Sequence, residues 1–317
     1  MKITLDLSKL VEDGKLTAEE AERLKTLASH ETGSLAVNIL IGFGVISIAI
    51  GAVSLLPSAV TVIAVGLMLF GAGLVIVLRK VTQWAVFGQI MLVTGALMVS
   101  GGVIGEGEGS VASMLIVTAA LALASIVARS SLLAALAVIA LSATLGARTG
   151  YEHATYSLAI FEPTLTVLLF SALALAAYWG SLRLSADYER IALMVARTSI
   201  LLVNFGFWVG SLWGDPLFLL RGFKEHNTAE MMRNIVIPDY VFSIAWALVL
   251  IGAAMWAVAV NRRWLVNIAA VFGAVHFYTQ WFEYLGATPL SVMGGGVLML
   301  ALAYGLWIFN KQMRASS

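Results

Sequence analysis

The feature that most constrains this chain is the division of its sequence into about ten apolar blocks separated by short polar connections. Each block is about as long as a bilayer is thick, because about 20 helical residues rise by about 30 Å. Backbone amides inside a bilayer must be bonded internally, so segments of this length are expected to be helical. The sequence therefore predicts an all-α fold, a polytopic transmembrane helical bundle of about ten helices.

The composition agrees with a bilayer as the solvent for most of the chain. Hydrophobic residues make up 60% of the 317 residues and charged residues 12%, whereas soluble domains average about 45–50% apolar and about 25% charged residues. The formal net charge is only +1, without a long basic run, which argues against a nucleic-acid partner because phosphate binding needs clustered Lys and Arg. The sequence contains no Cys, so disulfides, thiol chemistry and thiolate metal sites are excluded.

The polar residues between the blocks set the expected span boundaries. The predicted spans are Leu35–Leu56, Ser58–Leu78, Trp84–Gly105, Ser110–Ala128, Ser131–Ala147, Leu158–Gly180, Arg190–Trp213, Asp239–Val260, Trp264–Gly286 and Pro289–Phe309. The fifth is short for a membrane span.

Glycine marks places where helices are expected to pack closely, because a residue without a side chain lets two backbones approach. Three glycines recur at every seventh position of the third span, and further groups lie in the second span and at the start of the last. They are Gly88, Gly95 and Gly102; Gly66, Gly71 and Gly73; and Gly294, Gly295 and Gly296. For the last group the sequence leaves open close packing, a flexible joint or a broken helix.

The first 33 residues form the one long hydrophilic stretch before the spans and predict a small cytosolic helical hairpin. Ser8–Asp13 reads as a short helix, and Thr17 with Glu20 forms a capping box that starts a second helix over about Ala18–Ala28. We therefore expect two domains, the hairpin at 1–33 and a transmembrane helical domain at 34–317. Residues 8–28 are a candidate contact for a cytosolic protein; the alternative is a tail that only orients the first span.

The distribution of Lys and Arg predicts the orientation. Most of the 19 basic residues lie in the two tails and in the connections on one side of the predicted spans. Those expected on the other side are Arg148, Arg221, Lys224 and Arg233. The positive-inside rule then places both termini in the cytoplasm, with the chain in the inner (plasma) membrane. The external connection Gly214–Pro238 is expected to form an interfacial hairpin or a re-entrant segment. Its role is either a lid over a cavity or, as the favoured alternative, an amphipathic connection that rests on lipid.

Polar and ionisable residues within spans are costly and are therefore candidates for function. One stripe lies on the seventh span, a second on the ninth, and a carboxylate begins the sixth. These candidates are Arg197, Asn204 and Trp208; His276, Gln280 and Glu283; and Glu162. Helical spacing predicts a cavity open to the outside, with carboxylates at its mouth and an imidazole at its floor. The alternative is that the same side chains hold helices together by interhelical hydrogen bonds.

Motifs of soluble enzymes are missing from the sequence: it has no phosphate-binding Gly-Lys-Ser loop, no His-Glu-x-x-His and no Gly-x-Ser-x-Gly. We accordingly predict no catalytic residue, metal ligand or cofactor, and an enzyme is the third-ranked class. The preferred hypothesis is transport or sensing of a small solute through the polar cavity. The alternative is a non-catalytic membrane scaffold or anchor whose cytosolic hairpin recruits a partner. In both, the lipid bilayer is the principal partner.

Both ends of the chain resemble one family. The segments that carry the likeness are Leu10–Glu20, Arg262–Asn267 and Phe282–Gly286. They are similar to a bacterial family of predicted multispanning membrane proteins of unknown function. The resemblance implies a short N-terminal cytosolic hairpin followed by many transmembrane helices, and it implies no activity. Members commonly show an Arg-Tyr-Phe-Asp-like run where this chain has Gln280-Trp281-Phe282-Glu283.

Overall fold

The structure, a computed structural model, describes residues 10–11, 13–152, 155–217, 236–260 and 263–315. Within these ranges the main elements are α-helices of 14 residues or more. In chain order they are α1 (Ala18–Leu55), α2 (Ala59–Leu78), α3 (Ala85–Glu106), α4 (Val111–Val127), α5 (Ser131–Thr144), α6 (Pro163–Ser181), α7 (Ala186–Trp213), α8 (Asp239–Ala259), α9 (Arg263–Leu285) and α10 (Pro289–Ala315). A 3₁₀ turn (Thr82–Trp84) precedes α3, and two strands, β1 (Ala147–Glu152) and β2 (Thr155–Ile160), lie between α5 and α6.

Six of the described helices are long and apolar enough to cross a membrane: α2, α3, α6, α7, α8 and the Ala36–Leu55 part of α1. Helices α4 and α5 are apolar but have only 17 and 14 residues. Helix α9 has 23 residues but includes Asn267, His276, Gln280 and Glu283, which make it less apolar. This architecture agrees with the prediction of a helical membrane protein. That the chain crosses the membrane ten times stays a prediction.

Helix α1 begins with the predicted capping box. The Glu20 amide donates to the Thr17 hydroxyl over 3.2 Å, and the Thr17 amide donates to the Glu20 carboxylate over 2.9 Å. The hydrogen bond from the Thr17 amide is the main reason why the pKa of Glu20 lies below its ordinary value, and a bond from the Thr17 hydroxyl lowers it further. Each of the two side chains accepts a backbone amide that the first helical turn leaves unpaired, so the start of α1 is fixed by local sequence.

The helix then continues without a break to Leu55. It passes through Gly33, the residue at which the sequence predicts the end of a separate hairpin. One glycine costs a helix only about 1 kcal/mol, and no Pro interrupts this segment. The predicted boundary between 1–33 and 34–317 therefore falls inside a continuous helix. Of the predicted first hairpin helix, Ser8–Asp13, the structure describes only Leu10, Val11 and Asp13, so the hairpin stays a prediction.

The chain divides into two compact units, the first comprising Met1–Leu141 with Ser185–Met194 and the second Ser142–Leu184 with Val195–Ser317. In the first unit, α2 and α3 are antiparallel and pack through glycine. A Cβ atom added to Gly73 would lie 2.8 Å from the carbonyl oxygen of Gly88, and one added to Gly66 would lie 3.0 Å from that of Gly95. The regularly spaced glycines thus form the close contact between α2 and α3, as predicted, although Gly71 faces open space.

Helices α3, α4 and α5 enclose the apolar core of the first unit. Its buried residues are Leu92, Ala96, Val117, Leu121, Ala128, Leu133 and Ala137. At the turn between α4 and α5, the Arg129 guanidinium donates to the Asp187 carboxylate over 2.9 Å, and Arg190 pairs with the same carboxylate. The α4–α5 connection and the start of α7 therefore lie on the same side of this unit.

In the second unit a β-hairpin stands where the sequence analysis expects the end of the fifth span and the start of the sixth. Strand β1 pairs antiparallel with β2, from Ala147 opposite Ile160 to Glu152 opposite Thr155. Helix α5 ends before Gly146, whose φ of +83° favours glycine, and a Cβ there would lie 2.9 Å from the Phe161 ring. Antiparallel pairing satisfies the backbone amides that a continued helix would otherwise bond.

Helix α10 passes through the glycine triplet Gly294, Gly295 and Gly296 without interruption. The Trp281 indole of α9 packs on this segment, 3.4 Å from where a Cβ of Gly294 or of Gly295 would lie. Its N–H donates to the carbonyl oxygen of Ser291 over 3.0 Å. Of the three alternatives for the triplet, the structure shows close packing of an aromatic ring on a continuous helix.

Candidate functional site

An open cleft of about 430 Å³ lies between α7 and α9 in the second unit. Its lining consists of Trp208 from α7 and five residues of α9: Val275, Tyr278, Thr279, Phe282 and Glu283. The α9 residues recur at intervals of three and four, so helical geometry alone places them on one face. The volume lies within the range of small-molecule sites, about 300–1,000 Å³.

A hydrogen-bonded chain joins the two helices across the cleft wall. The Trp208 indole N–H donates to the Thr279 hydroxyl over 3.1 Å, and that hydroxyl donates to the carbonyl oxygen of Val275 over 2.7 Å. The Tyr278 and Phe282 rings lie 4.8 Å apart and are tilted by 57° to each other. The wall is therefore aromatic, and the polar atoms of Trp208 and Thr279 are bonded within it.

Glu283 is the only charged residue of the cleft lining. Its side chain is exposed, and it forms no hydrogen bond or ion pair with any residue in the described ranges. The lining includes no Lys, Arg or His. A carboxylate beside aromatic rings gives the cleft a negative electrostatic character, because ring faces are also negative.

The predicted mid-membrane groups Asn204 and His276 lie around a buried tryptophan and do not line the cleft. The Trp246 side chain of α8 is completely buried, and its indole N–H donates to Asn204 Oδ1 over 2.9 Å. Asn204 Nδ2 donates in turn to the carbonyl oxygen of Ile200 over 2.8 Å. The Trp246 ring meets the His276 ring edge to face at 4.8 Å and lies 6.4 Å from the Phe272 ring. This arrangement packs α7, α8 and α9 together.

Two atoms of the α9 stripe keep unused hydrogen-bonding capacity. His276 Nδ1 and Gln280 Nε2 are buried and bond to no residue that the structure describes. Buried polar atoms without partners are uncommon in proteins. They lie next to the cleft-lining positions along α9, at Val275 and Thr279, yet neither side chain lines the cleft.

The remaining predicted site residues lie elsewhere in the second unit. The exposed Arg197 guanidinium lies over the Trp264 ring, 5.1 Å from its centroid, which is a cation–π contact. Glu162 is buried at the N-cap position of α6. Of the seven predicted residues, the structure thus brings Trp208 and Glu283 into one cleft, joins Asn204 to His276 through Trp246, and sets Arg197 and Glu162 apart from the cleft lining.

Asp215 is a buried acidic residue that the sequence analysis did not single out. Its side chain is completely buried, and its two carboxylate oxygens each accept a backbone amide, from Thr164 and from Leu217, both over 2.8 Å. Thr164 lies in the first turn of α6, where amides lack helical partners and the helix dipole favours a negative charge. The signal available in the sequence was a carboxylate between an apolar block and Pro216.

The backbone of Asp215 also joins both ends of the longest connection. Its amide donates to the carbonyl oxygen of Ile237 over 2.9 Å, and its carbonyl oxygen accepts the amides of Val236 and Ile237. The predicted interfacial segment between these ends, residues 218–235, lies outside the described residues. The structure therefore gives the closure of this connection but not its course.

Within the described ranges no group of three or more His, Asp or Glu side chains is placed to hold a metal ion. Comparisons of the chain with models of protein families, with curated proteins and with solved structures found no match. The resemblance to a family of multispanning membrane proteins accordingly stays a prediction from the two ends of the sequence.

Proposed function

We propose that the chain is a multispanning protein of the bacterial inner membrane that binds a small solute in the cleft between α7 and α9, as a step in transporting or sensing it. The observation that carries the proposal is the cleft itself. It has the volume of a small-molecule site, and two predicted site residues, Trp208 and Glu283, line it. Aromatic walls with one charged group are typical of such sites.

The proposal differs from the predicted deep cavity in where the solute binds. Asn204 and His276 contact the buried Trp246 side chain, and their packing leaves the cleft lined by other residues of α7 and α9. We therefore place the solute beside Trp208 and Glu283, toward the ends of α7 and α9. Both termini are cytoplasmic in this proposal, because most Lys and Arg residues lie in the two tails and in the connections on one side of the predicted spans.

Single-cysteine labelling tests the proposal, because the chain has no native Cys. A Glu283→Cys variant should react with a membrane-impermeant thiol reagent added from outside, whereas His276→Cys should react much more slowly because the Trp246 ring packs against it. Ala274→Cys, on the same helix but absent from the lining, is the control and should stay unreactive. Protection of Glu283→Cys to the level of Ala274→Cys would contradict a water-accessible site.

A second candidate function is a non-catalytic scaffold that recruits a cytosolic protein through residues 8–28. The observation that favours it is the start of α1 at Ala18, well before the membrane-length part at Ala36. Such an extension presents exposed Glu19 and Glu20 carboxylates to a partner. A photo-crosslinker at Glu22 should then yield one defined adduct in cells, and the same crosslinker at Glu108 should yield none. Absence of an adduct from Glu22 would exclude recruitment through this segment.

A further inference from the structure

The hydrogen bonds of the cleft restrict which ligands can bind there. The Trp208 N–H and the Thr279 O–H both donate within the protein. Val275 and Phe282 have no polar side-chain atoms, and an ionised Glu283 only accepts. Among the six lining residues, only the Tyr278 hydroxyl remains as a side-chain donor for a ligand. An anion needs several donors or a positive charge, so the lining excludes anionic solutes.

The ring faces favour a positive ligand. A cation within about 6 Å of a ring centroid is attracted by the negative π face, most strongly by that of Trp. With the Tyr278 and Phe282 centroids only 4.8 Å apart, one ligand can approach both rings. The Trp208 ring lies in the same lining, and the Glu283 carboxylate adds a full negative charge. Each of these contacts lowers the free energy of a bound cation.

We propose that the cleft binds the alkylated ammonium group of a small organic cation. The inference rests on the proposed function, because it takes the cleft as the solute site. An alkylated ammonium fits better than an inorganic ion, since Ca²⁺ and Mg²⁺ require several oxygen ligands and the lining supplies one carboxylate and two hydroxyl groups. Its methyl groups also bury apolar surface against Val275 and the rings.

Two sources can supply this chemistry: a free quaternary ammonium solute from the periplasm, or the choline headgroup of a lipid beside the cleft. Both present the same trimethylammonium group. Assays in nanodiscs of phosphatidylglycerol leave the cleft free of lipid choline, and parallel assays in phosphatidylcholine nanodiscs supply it. The difference between the two sets of nanodiscs therefore separates a lipid headgroup from a free solute.

The test uses the full chain carrying Val275→Cys, whose thiol would lie in the cleft lining and replaces neither a ring nor the carboxylate. Its alkylation by an uncharged maleimide is timed with three probes of similar shape: choline, the uncharged carbon analogue 3,3-dimethylbutan-1-ol, and the anion 3,3-dimethylbutanoate. Choline should slow alkylation at a concentration roughly fivefold or more below that needed for the alcohol, as expected for a cation–π contact reinforced by one carboxylate. The anion should not protect.

Two further substitutions in the Val275→Cys background identify the groups responsible. Glu283→Gln and Phe282→Leu should each raise the half-protecting choline concentration roughly two- to fivefold, a range expected for one exposed charge or one ring. The effect of the alcohol should not change with Glu283→Gln. Matched controls are Glu189→Gln and Phe277→Leu, neither of which lines the cleft. Unchanged alkylation without probe shows that each variant keeps its fold.

The outcomes separate this inference from the proposed function. Equal protection by choline and by the alcohol, or no protection of a readily alkylated thiol by choline, overturns the organic cation and leaves a water-accessible site. An unreactive thiol at both Val275→Cys and Glu283→Cys overturns the proposed function as well. Choline protection seen only in phosphatidylglycerol, together with slow basal alkylation in phosphatidylcholine, supports the inference and identifies the lipid headgroup as the source.

Discussion

A double-mutant cycle between Asn204 and Trp246 tests whether the polar groups in the middle of α7, α8 and α9 pack these helices together. Asn204→Leu removes the acceptor of the Trp246 indole N–H and leaves that N–H buried without a partner. Trp246→Phe removes the donor and part of the ring. Because the two groups share a 2.9 Å hydrogen bond, the two substitutions together should lower the free energy of unfolding by less than the sum of their separate effects.

The expected magnitudes follow from the contacts. A hydrogen bond between membrane helices contributes about 0.6 kcal/mol on average and up to about 1.7 kcal/mol. Asn204→Leu should therefore lower the free energy of unfolding by about 1–2 kcal/mol, because the buried N–H loses its partner. Trp246→Phe adds a cavity, which at about 24 cal/mol per Å³ and a volume loss of ~40 Å³ adds ~1 kcal/mol. The coupling energy should lie between about 0.6 and 1.7 kcal/mol.

The measurement is reversible unfolding of the four proteins in mixed micelles, followed by far-UV circular dichroism. A second cycle, pairing Asn204→Leu with Trp256→Phe, is the control: Trp256 lies on the same helix as Trp246 and packs on Tyr178 at 6.0 Å. That control should give no coupling. A coupling energy near zero for Asn204 and Trp246 would refute the conclusion that this hydrogen bond holds α7 and α8 together. Asn204 would then again be a candidate for a solvent-facing site residue.

Two further predictions concern backbone contacts. Gly95→Ala should destabilise the α2–α3 pair by about 1–3 kcal/mol, because the new Cβ would overlap the backbone of Phe70. The control is Gly71→Ala, whose Cβ meets open space; it should be neutral or stabilise α2 by up to about 1 kcal/mol. Equal thermal stability of the two variants would contradict the interface. Asp215→Ala should lower the free energy of unfolding by about 1–3 kcal/mol, since two partly buried amides lose their acceptor. Asp215→Asn keeps one acceptor oxygen and should lower it by less; equal unfolding free energies of the two variants would contradict this role of the carboxylate.

Much of the helical framework could be predicted from the sequence because it depends on local properties. Hydrophobic length predicts the six membrane-length helices to within a few residues at most of their ends; α2, for example, spans Ala59–Leu78 where Ser58–Leu78 was expected. The glycine spacing also predicts an interface correctly, since Gly66, Gly73, Gly88 and Gly95 meet. Position along one helix determines which of its residues share a face, and that information is present in the chain itself.

The rest depends on contacts between distant segments. The β-hairpin after α5 lies mostly in the polar connection expected between the fifth and sixth spans. Hydropathy locates that connection but does not predict that its two halves pair, and their register is known only once both strands are placed. Trp246 looked like an ordinary apolar residue, because nothing in its own segment identifies Asn204 as its partner. The cleft likewise needs the orientation of α7 against α9, which places Glu283 beside Trp208 and His276 against Trp246.

The pairing of Asp215 with Ile237 also has a consequence for the length of chain between them. Because the two ends of this connection are bonded to each other, the end of α7 and the start of α8 are joined by backbone hydrogen bonds that do not involve the residues between them. For a chain closed in this way, doubling its length costs only about 0.6 kcal/mol in closure entropy. The connection is thus a suitable place to insert a folded reporter or an imaging fiducial without disturbing the helices.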